Sequence, residues 1–242
     1  MNNHDIKYRA FSLLELAISI AIIASFMSVI SIGQSIRKNA QLRQVVNDFY
    51  QYEALFDSFK ERYGQYPGDM NNAHDFFGDD CDTNASECNG DGDGYIESGS
   101  AGDQQRENHR LWQHLNLAEM LPGNYPGYGG VSSATNSPVG PLASSIYFVD
   151  NTADFVDVDN KLFFTGSYTT YYEAILDVSG ARSIDIKMDD GIAHKGVIYG
   201  ISGVDVSATD CSAARATTPA DYNMDSTVSR ACYVAYRFDT LE

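Results

Sequence analysis

Between residues 89 and 97 the chain reads Asn89-Gly90-Asp91-Gly92-Asp93-Gly94-Tyr95-Ile96-Glu97. Oxygen-bearing side chains recur at every second position, 89, 91 and 93, and Gly94 then permits a sharp turn. Carboxylate, amide and carbonyl oxygens are hard donors, suited to a divalent cation such as calcium and not to a soft metal. In that role Asn89, Asp91 and Asp93 offer side-chain oxygens and Tyr95 its backbone carbonyl. Glu97 would bind directly or through water. Ile96 follows as an apolar anchor. Magnesium fits less well, because it demands stricter octahedral geometry. The competing reading is a run of solvated Asx-Gly turns.

The spacing resembles the first nine positions of an EF-hand-type calcium loop. The match then stops. Ser100 stands where a bidentate glutamate should close the site, so Glu107, Asp79, Asp80 or Asp82 would have to substitute. The flanks do not read as paired helices. The expectation is a calcium-type loop over residues 79–100, not an EF-hand domain. A second acidic group, Asp185, Asp189 and Asp190, reads as a polar hairpin tip in preference to a cation site.

The formal net charge is -17, from 16 basic and 33 acidic residues. Such a surface repels phosphates, so no nucleic-acid partner is expected. Four cysteines fall into two local pairs, Cys81 with Cys88 and Cys211 with Cys232. Three pairings are open to four cysteines, and the local one is favoured because each pair sits in one loop-rich segment. Disulfides imply an oxidising compartment. The rival, a zinc site, lacks any Cys-x-x-Cys and any histidine at ligand spacing from a cysteine.

What must position this head begins at the N-terminus. Residues 1–10, MNNHDIKYRA, are polar, with Lys7 and Arg9 just before an apolar run. Residues 11–32 are mostly apolar and long enough to cross a bilayer as a helix. The basic flank predicts a cytoplasmic N-terminal side. One residue breaks the run. Glu15 near its start costs about 2.5–3.5 kcal/mol on insertion scales, so it calls for a partner. A secretory signal peptide has a shorter apolar region and would not carry this acid.

Ala10-Phe11-Ser12-Leu13-Leu14-Glu15-Leu16 resembles the cleavage and methylation motif of type IV prepilins and type II secretion pseudopilins. The resemblance implies a prepilin peptidase that cuts between Ala10 and Phe11, and N-methylation of Phe11. It implies that Glu15, the fifth mature residue, pairs with the Phe11 amine of a neighbouring subunit. Many relatives have glycine before the cut where this chain has Ala10. The implied partners are the peptidase, other pilin subunits and an inner-membrane assembly platform. The implied location is the bacterial inner membrane with the head in the periplasm, then a periplasmic pseudopilus or a surface pilus. Filament subunit is the reading favoured. A minor or tip pilin with a calcium-dependent binding head, and a membrane-anchored periplasmic protein that never assembles, are the alternatives.

The helix is predicted to continue. No proline occurs before Pro67, and Leu42, Val45, Phe49, Tyr52, Phe56, Phe59 and Tyr63 recur at steps of three and four. The expected divisions are a leader at 1–10, an assembly helix at 11–32, its amphipathic continuation at 33–63 and a globular head at 64–242. The helix over 11–63 would be roughly 80 Å long. Residues 104–119 read as a second helix capped by Asp103, with His109 and His114 as surface or capping residues. No regular structure is expected over 64–103, and a long loop is expected over 123–143. Strands are expected at Ser145–Val149, Lys161–Thr165, Tyr171–Val178, Ser183–Met188, Lys195–Ile201 and Cys232–Phe238. The fold class is therefore α+β and pilin-like, a long helix packed on a small antiparallel sheet. No nucleophile elbow, HExxH, Walker or dinucleotide-binding motif occurs, and the chain does not read as an enzyme.

Overall fold

A computed structural model describes residues 12–97, 107–127, 136–151, 160–166, 172–212 and 220–238. The chain divides into two compact units, residues 1–41 and 42–242. The first is helical from Leu13 onward. Its described large apolar side chains, Leu13, Leu14, Ile18, Ile22, Phe26 and Ile30 among them, are exposed. This helix, α1 (Leu13–Tyr63), is long and apolar enough at its N-terminal end to span a membrane. Ala10 and Phe11 lie outside the described residues.

In the second unit the end of α1 has the expected amphipathic form. Leu42, Val45, Phe49, Phe56 and Phe59 are buried, and Tyr52 packs beside them. The helix stops at Gly64, whose φ of 81° is left-handed and whose N–H donates to the Lys60 carbonyl at 2.7 Å. Glycine meets that conformation without strain.

Residues 64–97 are less irregular than their composition suggests. They hold α2 (Ala73–Phe77), a 3-10 turn (Gly78–Asp80) and α3 (Ala85–Cys88). Then come α4 (Glu107–Leu117), β1 (Ser145–Asp150), β2 (Lys161–Gly166), α5 (Val178–Met188), β3 (Ile198–Ser202) and β4 (Cys232–Arg237). The four strands form one sheet in the order β1-β2-β4-β3, with every neighbouring pair antiparallel. Asp103, the expected cap of α4, lies outside the described residues.

Tyr147, Val149, Leu162, Phe164, Val234 and Tyr236 pack with α1 and α4 in the main core. Phe49 meets Tyr147 and Tyr236 with ring centroids 6.0 and 5.5 Å apart, and Phe56 meets Trp112 at 5.8 Å. The other sheet face is also buried, through Phe148, Phe163, Tyr199, Ile201 and Tyr233. The strands therefore read as continuous apolar runs and not as an alternation.

Three expectations are corrected. Ser183–Met188 is the end of helix α5, not a strand. Ile184, Ile186 and Met188 alternate with polar residues, but the buried residues include Val178, Ala181, Ile184 and Asp185, which have helical spacing. The side chain of Asp177 caps this helix by accepting from the Gly180 N–H at 3.0 Å. Second, Tyr171–Val178 is not a strand. Among its described residues it makes only isolated bridges, Glu173 with Gly166 and Leu176 with Cys232, and Tyr172 has a φ of 68°. Third, His109 and His114 are buried, because α4 is enclosed along almost its whole length.

Both cysteine pairs form local disulfides. Cys81–Cys88 has a Cα separation of 5.6 Å and Cys211–Cys232 one of 5.0 Å.

Candidate metal centre

Two segments far apart in sequence meet at the acidic loop. The first is the turn after α1, Tyr66 to Asn72. The second is residues 89–97, which follow the Cys81–Cys88 staple. They touch backbone to backbone, with the Gly90 N–H donating to the Met70 carbonyl at 3.0 Å. A Cβ on Gly90 would lie 2.4 Å from the Gly68 carbonyl oxygen, so only glycine allows this approach.

The contact places Asp69 against the loop. A carboxylate oxygen from each of Asp69, Asp91 and Asp93 lies within 4.8 Å of the other two. Asp69 is only 2% exposed. Its Oδ2 accepts from the Gly94 N–H at 3.1 Å, while its Oδ1 is buried with no hydrogen-bond partner among the described residues. Asp91 and Asp93 are exposed and shape the loop. Asp91 Oδ1 accepts from the Asp93 N–H at 3.0 Å, and Asp93 Oδ1 accepts from the Tyr95 N–H at 2.8 Å. These are two successive Asx turns.

Glu107 brackets the same loop from the first turn of α4. Its Oε1 accepts from the Asp91 N–H at 3.0 Å and its Oε2 from the Glu97 N–H at 3.2 Å. Ile96 is fully buried as an anchor. Asn160, at the start of β2, holds the loop's far side. Its Oδ1 accepts from the Ile96 N–H and its Nδ2 donates to the Gly94 carbonyl.

The electrostatics are unfavourable to three or four bare charges. Burial pushes the Asp69 carboxyl up to about 6, and Asp93 and Asp91 add to the rise against the amides of Gly94 and Gly92. Burial pushes Glu107 up to about 8, with Asp69 and Asp91 adding to it against its two amide donors. Among the described residues no lysine or arginine forms an ion pair with any of these four acids.

The sequence-predicted ligands are thus only partly brought together. Asp91 and Asp93 are in the cluster. Asn89 is turned to α2, where its Oδ1 accepts from the His74 N–H at 2.8 Å. Glu97 Oε1 accepts from Asn151 Nδ2. Tyr95 is partly exposed and joins the loop through its own N–H. Of the acids considered for closing the site, Asp82 pairs with Arg110 at 3.0 Å and Asp79 lies 3.7 Å from His74. Ser100 lies outside the described residues. Sequence reasoning missed Asp69, whose only signal is the Pro67-Gly68-Asp69 turn, and it missed Asn160, which has none.

Two other clusters look similar and differ in chemistry. Asp185, Asp189 and Asp190 sit at the C-terminal end of α5, not at a hairpin tip. Their oxygens have donors: Tyr222 Oη and the Gly191 N–H on Asp185, the Val197 N–H on Asp189, and Lys195 on Asp190. Cys81, Cys88 and His114 also lie together, but the two sulfurs are bonded to each other. His114 Nδ1 accepts from the Gly68 N–H at 3.0 Å, so Nε2 carries the proton and donates to the Cys88 carbonyl at 3.1 Å. Burial then pulls the imidazole down to about 3 and keeps it neutral.

At the other end of the chain, Glu15 lies in the first turn of α1. Its Oε2 accepts from the Ser12 N–H at 3.0 Å. Comparison with protein-family models, with curated proteins and with solved structures finds no match.

Proposed function

We propose that this chain is a filament-forming subunit of the type IV pilin or pseudopilin kind. A prepilin peptidase cuts it after Ala10 and Phe11 is N-methylated. Residues 11–32 hold it in the inner membrane, with the head on the periplasmic side. It then joins other subunits through this helix, delivered by an inner-membrane assembly platform.

The observation that carries the reading is the division of labour along α1. Its N-terminal stretch is apolar, its described large side chains are exposed, and the single acid Glu15 lies in its first turn. The same unbroken helix then becomes the buried stripe of the head, from Leu42 to Phe59. An apolar surface of this extent needs lipid or other copies of itself to cover it. A lone carboxylate within it needs a cation, which the amine of a neighbouring Phe11 supplies. The disulfides fit a head outside the cytoplasm.

Mass spectrometry of the mature N-terminal peptide from the native host tests this. The expected peptide begins at N-methylated Phe11. A peptide that retains Met1, or one that begins beyond residue 24, removes the reading.

A further inference from the structure

We propose that Asp69, Asp91 and Asp93 hold one calcium ion, which clasps the turn after α1 to the loop at residues 89–97. This goes beyond the filament reading and stands without it, because it concerns the head alone.

Three observations carry it. The first is the orphaned oxygen. Asp69 is 2% exposed, yet its Oδ1 has no donor. Buried polar atoms are nearly always satisfied, and a buried carboxylate oxygen without a partner is costly. The second is spacing. Two oxygens bound at 2.3–2.6 Å on opposite sides of one calcium stand about 4.6–5.2 Å apart, and adjacent ones stand closer. The three carboxylates fall inside that limit, within 4.8 Å of one another.

The third is the way the loop is already built. Asp91 and Asp93 each spend one oxygen on an Asx turn and keep Oδ2 for a ligand. Glu107 spends both oxygens on loop amides, so it acts as a positioning residue at the loop's base. Gly94, with a φ of 96°, reverses the chain so that its N–H returns to Asp69. The arrangement is therefore not an EF-hand. Its third acid, Asp69, lies 22 residues before Asp91, and the ion joins two segments where an EF-hand closes one.

Calcium is the ion of choice. All three donors are carboxylate oxygens, the loop is rich in glycine, and the exposed side leaves room for water ligands. Two exposed donors point to an affinity typical of extracellular modules, a Kd of about 10⁻⁴–10⁻³ M.

The test uses the full chain in detergent micelles, stripped with chelator and titrated calorimetrically with calcium chloride. One ion per chain is expected, with a rise in melting temperature. Asp69→Asn keeps the side chain's size and should weaken binding at least about tenfold, because it removes one charged ligand. Asp93→Asn, at an exposed position where folding is not at risk, should weaken it similarly. Asp79→Asn should leave it unchanged. No calcium uptake by the wild-type chain overturns the proposal, as does wild-type affinity in both cluster variants. Equal affinity for magnesium overturns the choice of calcium. None of these outcomes depends on where the N-terminus is cut.

Discussion

The head carries two triads of aspartates, and they solve the same problem in opposite ways. Asp185, Asp189 and Asp190 are served by the protein itself: a tyrosine hydroxyl, four backbone amides and an ammonium group reach them. Among the described residues, Asp69, Asp91 and Asp93 are served by amides alone, and one buried oxygen is left over. Each triad leans on a disulfide. Cys81–Cys88 ends immediately before the 89–97 loop, and Cys211–Cys232 closes the segment that carries Tyr222. The difference teaches that acidic density is a poor guide to a cation site. What counts is whether the fold has already supplied the donors.

Breaking the staples gives the largest effect. On the chain-entropy view, Cys211→Ser with Cys232→Ser costs about 3.4 kcal/mol and Cys81→Ser with Cys88→Ser about 2.5 kcal/mol. Chemical denaturation measures both. The sharper readout is calcium. Loss of Cys81–Cys88 should weaken the calcium-dependent rise in melting temperature, while loss of Cys211–Cys232 should leave that rise in place. If both double variants lose it alike, the two triads are not independent.

Next comes the donor that the second triad owns. Tyr222→Phe leaves Asp185 Oδ2 buried without its 2.8 Å partner. A lost hydrogen bond to a charged group costs about 2 kcal/mol, read as a fall in denaturation midpoint at neutral pH.

The proton dependence of the same site follows. Burial pushes the Asp185 carboxyl up to about 6, and Asp189 and Asp190 add to this against Tyr222 and Gly191. The folded-state value lies above the unfolded one, near 3.9. The stabilising contribution of the protonated form is therefore complete below about pH 4 and is lost as pH rises through about 6. Asp185→Asn removes this dependence. Relative to wild type, the variant should gain about 1–2 kcal/mol between pH 4 and 6, after allowance for solvent screening, and then level off. Denaturation series at several pH values, in saturating calcium, check it. A constant difference across the window would refute the assignment.

How much of this was legible follows from what each feature depends on. The α1 stripe could be read because a 3.6-residue period over several turns has no competitor. Strands β1, β2 and β4 could be read because each is a short aromatic and aliphatic run between turn signals. Helix α5 could not, because Ile184, Ile186 and Met188 imitate a strand, while the burial of Ala181 and Asp185 is decided by what packs on them. The loop's oxygens are local and were visible. Asp69 was not, because it reaches the loop only through the Gly90 contact with residues 68–70. His114 is buried because its two ring nitrogens meet the Gly68 amide and the Cys88 carbonyl, beside the Cys81 sulfur, and no sequence spacing reports that.

The smallest expected effect is the most discriminating. Lys195→Ala removes the ammonium from Asp190, an exposed pair whose members hold each other charged. Surface pairs contribute little in salt, so the melting temperature should not move measurably. The same variant also strips the second triad of the ammonium paired with it, and so brings it closer to the first. If a spare carboxylate were all that calcium needs, Lys195→Ala would acquire a calcium response there. It should not. Asp185 would still hold the Tyr222 and Gly191 donors, Asp189 the Val197 amide and Asp190 Oδ1 the Ile192 amide, so only Asp190 Oδ2 would be freed. One freed carboxylate oxygen among satisfied ones is a weak site, since calcium gains most where oxygens lack other donors. Calorimetry on an Asp69→Asn, Lys195→Ala double variant isolates the question, because the first triad is disabled. Heat from calcium binding in that variant would show that proximity of the acids, and not their lack of donors, decides where the ion goes.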